Sequence, residues 1–409
     1  MKASSRALHG GSRLVFDTVE GITNSVEHMH ATIAQRALPW ASRPTEFNKA
    51  HGYIASAVYA TIRGTNSALR TGLDSAFSLL PKASSSEGEQ SDAEIRAIAA
   101  INGAFGDHLE ATNNSLAQAM ILMTSNQDLE INRAALTQDI PQASTHVVIL
   151  VHGLCMSERG WRREDNTDIG SRLGDEQDCT PLYLRYNSGR HISTNGKEFT
   201  QLLEQLVDAW PVPIESLSLI GHSMGGLLIR SACWYADKDQ SEWLQKLTRI
   251  TCLGTPHHGS PVAKAGHALN LAMEAMPYVK PLAFGRKRSA GIKDLRHGDL
   301  LDEDWQTGDD DSTNQDKRTP VPLLPGIDYY FIAATLGQDE HDPLGHALGD
   351  MLVRMGSAMG AHDEDLHTLK VKPENCRLFH EKSHLALLTD EHVQQQIVDW
   401  FEPKARFES

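Results

Sequence analysis

The stretch from Ser216 to Arg230 limits what this chain can fold into more than any other. Ser216-Leu217-Ser218-Leu219-Ile220 is a short β-type run that ends on Gly221, and Ser223 follows between small residues, with a helical pattern starting at Met224. A serine hydroxyl is a poor nucleophile unless something presents it, deprotonates it and stabilises the charge it creates. A sharp strand-to-helix turn does the first of these. It throws the Ser223 side chain outward and requires glycine at Gly221 and Gly225, where a Cβ would collide with neighbouring backbone. The helix that follows points its unpaired N–H groups and positive dipole end at the same spot. Alone, Gly-x-Ser-x-Gly is weak. With glycine and serine each near ~7% of residues, chance supplies it in about one chain of this length in six, so its meaning depends on the rest of the chain.

A length of 409 residues permits one large domain, or one domain with a substantial extension. The formal net charge of -15 counts against nucleic acid and against simple electrostatic adhesion to anionic lipid. Five cysteines (Cys155, Cys179, Cys233, Cys252 and Cys376) are odd in number and widely spaced, with no Cys-x-x-Cys pair, which argues against a zinc site or a disulfide scaffold. The N-terminus lacks the apolar core of a secretory signal, and no uncharged apolar run approaches the ~20 residues of a membrane span. The expectation is a soluble, cytoplasmic protein.

From about Leu14 to Gln127 the pattern is helical. Val15, Val19, Ile22, Val26, Met29 and Ile33 form one stripe, and a second segment runs from His51 to Leu80. A polar tract from Ala83 to Asp92 reads as an exposed linker, and Asp92 to Ser125 returns to helical spacing. These helices are expected to pack on the catalytic domain, with peripheral membrane contact as the competing reading.

From Thr145 the texture changes. Strand-type runs at Val147–Val151, Pro181–Tyr186, Leu217–Ile220, Ile250–Leu253, Tyr329–Ala334 and Cys376–Phe379 alternate with helical patterns at Gly196–Trp210, Met224–Tyr235 and Glu391–Trp400. Such alternation implies crossover connections and a mainly parallel sheet covered on both faces, an α/β fold. The interval from Ser260 to Ile327 interrupts it. Apolar helical spacing around Ala268 to Met276 makes a candidate cap, and the acidic clusters Asp302-Glu303-Asp304 and Asp309-Asp310-Asp311 read as solvated loop, since their carboxylates lack an ordered ligand pattern. The expected organisation is a helical extension over 1–140 and a catalytic domain over 141–409, with the cap at about 260–326.

The first strand run ends in Ile149-Leu150-Val151, followed by His152-Gly153-Leu154. A turn here can aim a main-chain N–H at the serine. Two backbone donors near ~3 Å from a developing oxyanion lower the barrier to acyl transfer by several kcal/mol; the N–H groups of Leu154 and Met224 are the expected pair. His152 is expected to bond loop backbone rather than to act as a base.

Three motifs in order, Val151-His152-Gly153-Leu154, Gly221-His222-Ser223-Met224-Gly225-Gly226 and Leu253-Gly254-Thr255-Pro256-His257-His258-Gly259-Ser260, resemble the α/β-hydrolase superfamily. More specifically they resemble its lipase/esterase branch, which includes the inositol-deacylase-like serine hydrolases. The resemblance spans about Thr145 to Phe401. It implies the α/β-hydrolase fold and a triad ordered nucleophile, acid, base, with the histidine after the last strand. Ser383-His384-Leu385 matches the histidine loop, making His384 the base and His380 the runner-up. Gly349-Asp350-Met351-Leu352-Val353 is similar to the family's Gly-Asp-x-x-Val segment and makes Asp350 the acid; Met351 departs from the glycine often found there, and Asp342 in the same loop is the alternative acid. His152, Gly153, His222, Gly225, Thr255 and Pro256 are expected to shape the turn and the acyl pocket. His257 and His258 lack a second pair of ligands, so no metal is implied, and the chain has no nucleotide-binding glycine pattern, so no cofactor is implied.

The expected activity is ester hydrolysis on a hydrophobic acyl substrate through an acyl-enzyme on Ser223. Acyltransferase or phospholipase chemistry on the same triad is the alternative. A reading of a different class is an inactive hydrolase fold whose helices bind a membrane or a partner. The partners implied are a lipid-like ester and no nucleic acid, and the oligomeric state is left open.

Overall fold

A computed structural model describes residues 92–260, 289–306, 316–338, 350 and 353–402; within the first 71 residues it describes 9–17, 19–20, 23–24, 27, 59–60, 62–67 and 69–71. The chain forms two compact units. Among the described residues, one unit takes the positions up to 94 together with 108–117, and the other takes 95–107, 118–260, 289–306, 316–338, 350 and 353–402. The candidate cap residues 268–276, the acidic residues 309–311 and Asp342 lie outside the described residues.

The second unit is built on seven strands: β1 (Ile121–Met123), β2 (His146–Val151), β3 (Cys179–Arg185), β4 (Ser216–His222), β5 (Leu247–Leu253), β6 (Asp328–Ala334) and β7 (Cys376–Phe379). Their order is β1-β3-β2-β4-β5-β6-β7, with β1 antiparallel to β3 and every other pair parallel. The chain leaves β2 toward β3 on one side and returns to β4 on the other. That reversal opens a crevice at the carboxyl ends of β2 and β4, where ligands of such sheets bind.

Period-two alternation explains the layers. In β2, Val147, Ile149 and Val151 face one core, and Val148 and Leu150 face the other. Both sets are fully buried, which is why a parallel interior strand reads as an unbroken apolar run. On the first face lie α3 (Ile192–Ala209) and α4 (Met224–Asp239), which contribute Phe199, Leu203, Leu206, Leu228 and Ile229. On the second lie α2 (Ile169–Gln177) and α6 (Glu391–Phe401), which contribute Leu173, Val393, Ile397 and Val398. α5 (Ala290–His297) carries buried Ile292 and Leu295 within the interval expected to hold the cap.

α1 (Asp92–Ala111) is shorter than the helical pattern to Ser125 predicts. Asn113 adopts φ 49°, a left-handed conformation that stops a helix, and the chain then runs to β1 on the edge of the sheet. The sheet unit therefore begins upstream of residue 141. The cluster Asp302-Glu303-Asp304 starts a short helix instead of a loop. The Asp304 carboxylate accepts the N–H groups of Leu300 and Leu301, and Asp302 pairs with Lys197. In the other unit, Asp17 is buried between Arg70 (2.6 Å) and His108 Nε2 (2.7 Å), and Asn114 donates to the Gly10 carbonyl at 3.1 Å. No described helix is long and apolar enough to cross a membrane.

Candidate active site

Ser223 stands between β4 and α4 with φ 53° and ψ -123°, a region costly for a residue with a Cβ. Its N–H donates to Leu253 O at 2.8 Å and its carbonyl accepts from Gly226 N at 3.1 Å, so backbone on both sides holds the strained turn. Close packing makes the flanking glycines obligatory. A Cβ on Gly221 would lie 2.6 Å from Gly226 N, and one on Gly225 would lie 2.3 Å from Val151 O. The turn is thus pressed against the end of β2.

The loop after β2 meets the serine from that side. A Cβ on Gly153 would sit 3.1 Å from Ser223 Cβ and 3.2 Å from His222 Nδ1. The His152 ring stacks on Tyr186 with centroids 4.4 Å apart, and its Nδ1 donates to Gly153 O at 2.9 Å, while Tyr186 Oη donates to His152 O at 2.9 Å. Burial pushes the His152 pKa down to about 4, so the ring is neutral and holds backbone. The role of Tyr186 in clamping this loop had no local signal in the sequence. Leu154 packs against the apolar cluster that contains Met224 and Leu227.

His384 opens the turn His384–Leu388 after β7, with Ser383 as its cap. Its Nδ1 is 2.7 Å from Asp350 Oδ2, both side chains are buried, and its N–H donates to Asp350 O at 3.2 Å. The other carboxylate oxygen, Asp350 Oδ1, accepts Val353 N–H at 2.7 Å. Protonation at Nδ1 leaves Nε2 as an acceptor, and that buried atom has no partner among the described residues. His380 lies at the end of β7, and His384 is the histidine paired with Asp350.

His222 joins the two halves. Its Nε2 donates to His384 O at 3.1 Å, and the two rings lie 4.7 Å apart. Burial, with His384 beside it, holds the His222 pKa well below the usual imidazole range. At the end of β5, Gly254 (φ 57°) brings backbone against His384; a Cβ there would lie 3.0 Å from the ring. Thr255 is buried under Gly226, and the turn through Pro256 closes with Gly259 N donating to Pro256 O. His257 stacks on Phe331 and lies 3.4 Å from Arg230 Nη1, and His258 N–H donates to Ser357 Oγ. Among the described residues no group of three or more His, Cys, Asp or Glu side chains is arranged to hold a metal ion.

Four histidines here, His152, His222, His257 and His258, are depressed by burial. Between the folded and unfolded pKa the unfolded chain binds more protons, so stability rises with pH and is lost as pH falls below 6.5. His152 alone, falling from 6.5 to about 4, contributes a loss of about 3 kcal/mol by pH 4. Urea denaturation at pH 7, 6 and 5 should show a falling midpoint at constant slope. Constant stability across that range would contradict the neutral burial of these rings.

Residues 142–307 match the family of the PGAP1-like alpha/beta domain. No curated protein matches the chain significantly. Among solved structures, the Bacillus licheniformis lipase BlEst2 in its mature form is 16% identical, covers 63% of this chain and 91% of its own, and has a TM-score of 0.41. Phospholipase PlaB from Legionella pneumophila is 16% identical over 64% of this chain and 61% of its own, at a TM-score of 0.41. The Pyrococcus furiosus esterase is 13% identical over 63% of this chain and 82% of its own, at a TM-score of 0.36. The strand order and the match over 142–307 give this chain an α/β-hydrolase fold, in which residues 142–307 are similar to the PGAP1-like alpha/beta domain.

Proposed function

We propose that the protein is a serine ester hydrolase acting on esters with a hydrophobic acyl group. One observation carries the reading: buried Asp350 holds His384 by Nδ1 at 2.7 Å and leaves its Nε2 without a partner among the described residues, and His222, next to the strained Ser223 in sequence, is bonded to the His384 carbonyl. Ser223 Oγ attacks the ester carbonyl and its proton passes to His384 Nε2. The oxyanion is received by the N–H groups of Leu154 and Met224, neither of which donates to an acceptor among the described residues. Collapse of the tetrahedral intermediate breaks the bond to the alcohol oxygen, which leaves with the proton from His384. Water then attacks the acyl-enzyme, gives its proton to His384, and releases the acid as the proton returns to Ser223.

Apolar groups next to the reacting ones support a hydrophobic acyl chain. Leu154 and Met224 share a cluster, and Leu385, next to His384, is 49% exposed. All five cysteines are free thiols, which supports a cytoplasmic setting.

A fluorophosphonate probe should label wild-type protein stoichiometrically, with the adduct mapped to Ser223 by peptide mass spectrometry. A chain-length series of p-nitrophenyl esters should then give higher kcat/KM for longer acyl groups until the pocket is filled. An unlabelled protein, or label on another residue, would rule out this assignment. Hydrolysis in the presence of a competing alcohol separates the two uses of the acyl-enzyme, since a transferase would yield mainly the new ester.

A further inference from the structure

Glycine is the poorest helix former after proline, yet α1 carries Gly103 and Gly106 three residues apart, on neighbouring positions of one face. Both are places where helix backbone touches a loop. A Cβ on Gly103 would lie 2.3 Å from Cys155 Sγ, 2.7 Å from Cys155 N and 2.8 Å from Cys155 Cα. A Cβ on Gly106 would lie 1.8 Å from Asn187 Oδ1. Cys155 directly follows Leu154, and its φ of 60° is one that few residues other than glycine adopt. Its N–H donates to Ser188 Oγ at 3.0 Å.

The same helix also fixes that serine's loop. Asn187 Nδ2 donates to Gly106 O at 3.0 Å, and Gly189 is packed so closely that a Cβ would lie 2.1 Å from Asn102 O. On the far side Ser289 Oγ donates to Gly103 O at 2.7 Å. Asn102, Asn187, Ser188 and Ser289 are all buried, and a buried network with its bonds made holds one geometry firmly. Leu154 is therefore followed by a residue gripped by helix backbone and by a side chain that the helix itself positions.

We infer that Gly103 is a positioning residue for ester hydrolysis: by letting α1 rest on Cys155, it aims the Leu154 N–H at the oxyanion. The inference rests on the reading of Ser223 and Leu154 given above. It extends the machinery of the site to residues 95–107, upstream of the matched segment that begins at 142. Backbone atoms of Cys155 cannot swing away as a flexible side chain would, so Gly103→Ala has to displace the loop. A shift of about 1 Å in a group that must meet the transition state can cost 100-fold.

The test compares Gly103→Ala with Gly170→Ala, a helical glycine of α2 whose Cβ would lie 2.5 Å from Tyr183 Oη, in the core shared by α2 and α6. With p-nitrophenyl butyrate, Gly103→Ala should lower kcat at least tenfold with KM within about twofold. Affinity for an alkyl boronic acid, which mimics the tetrahedral state, should fall by the same factor. Gly170→Ala should keep kcat within about twofold whatever its loss of thermal stability. If Gly103→Ala does not fold, Ser188→Ala removes the acceptor of the Cys155 N–H without adding volume and should reproduce the kcat loss. A folded Gly103→Ala or Ser188→Ala that turns over and binds the boronic acid like wild type overturns the inference while leaving Ser223 as nucleophile. Wild-type protein that neither takes the fluorophosphonate label nor turns over the ester defeats the underlying reading as well.

Discussion

Replacing Ser223 with Ala should lower kcat for p-nitrophenyl butyrate on the order of 10⁵-fold or more, leaving only what binding and the oxyanion donors supply to attack by water. The size of the effect follows from the proposed mechanism, in which this substitution removes the atom that forms the covalent intermediate and leaves the base no hydroxyl to deprotonate. The fold should survive. The Ser223 side chain caps no amide of α4, the turn is held by its backbone bonds to Leu253 and Gly226, and Ala keeps the same Cβ in the same strained conformation. Circular dichroism and thermal melting of the variant should therefore overlay those of wild type. Turnover within tenfold of wild type in a folded variant would mean that another residue makes the acyl bond. Loss of both activity and folding would be checked with Ser223→Cys, which restores a nucleophile of similar size at the same place.

What could be read from the chain beforehand depended on how far apart the interacting groups lie. β2 was legible because an interior parallel strand buries both faces, so Val147 to Val151 carry the signal in their own identities. The serine turn was legible for a similar reason: Gly221 and Gly225 are required by contacts within a few residues and with one neighbouring strand. β1 was not, since Leu116, Met120 and Met123 fit helical spacing and only pairing with β3 makes Ile121–Met123 a strand. Asp350 and His384 could be singled out as candidate acid and base only from a resemblance, because the 2.7 Å contact between them is created by the loops after β6 and β7. His222 was visible as a letter of a motif, but its bond to the His384 carbonyl crosses 162 residues. Gly103 carries no local signal, because its contact with Cys155 joins residues 52 positions apart.

Asp350→Asn should lower kcat about 10⁴-fold at nearly unchanged KM, whereas Asp342→Asn should stay within about tenfold of wild type. The argument turns on one proton. In wild type the Nδ1–H is held by Asp350 Oδ2, which leaves Nε2 as the acceptor that the serine needs. An amide at position 350 can present its N–H₂ to Nδ1 instead, so the imidazole carries its proton on Nε2 and cannot take one from Ser223. The carboxylate also offsets the charge on the imidazolium that forms during attack, and a neutral amide does not. KM should hardly move, because Asp350 is buried and spends its carboxylate on His384 and on Val353 N–H. Folding has its own check: Asp350 Oδ1 accepts Val353 N–H, and an amide oxygen can keep that bond, so a melting temperature near wild type is expected. If Asp342→Asn loses the four orders of magnitude and Asp350→Asn does not, the acid is Asp342 and the 2.7 Å pair serves only to hold the loop. The double variant separates one shared role from two. With a single acid it should be no slower than Asp350→Asn alone, because groups acting as a unit are strongly non-additive.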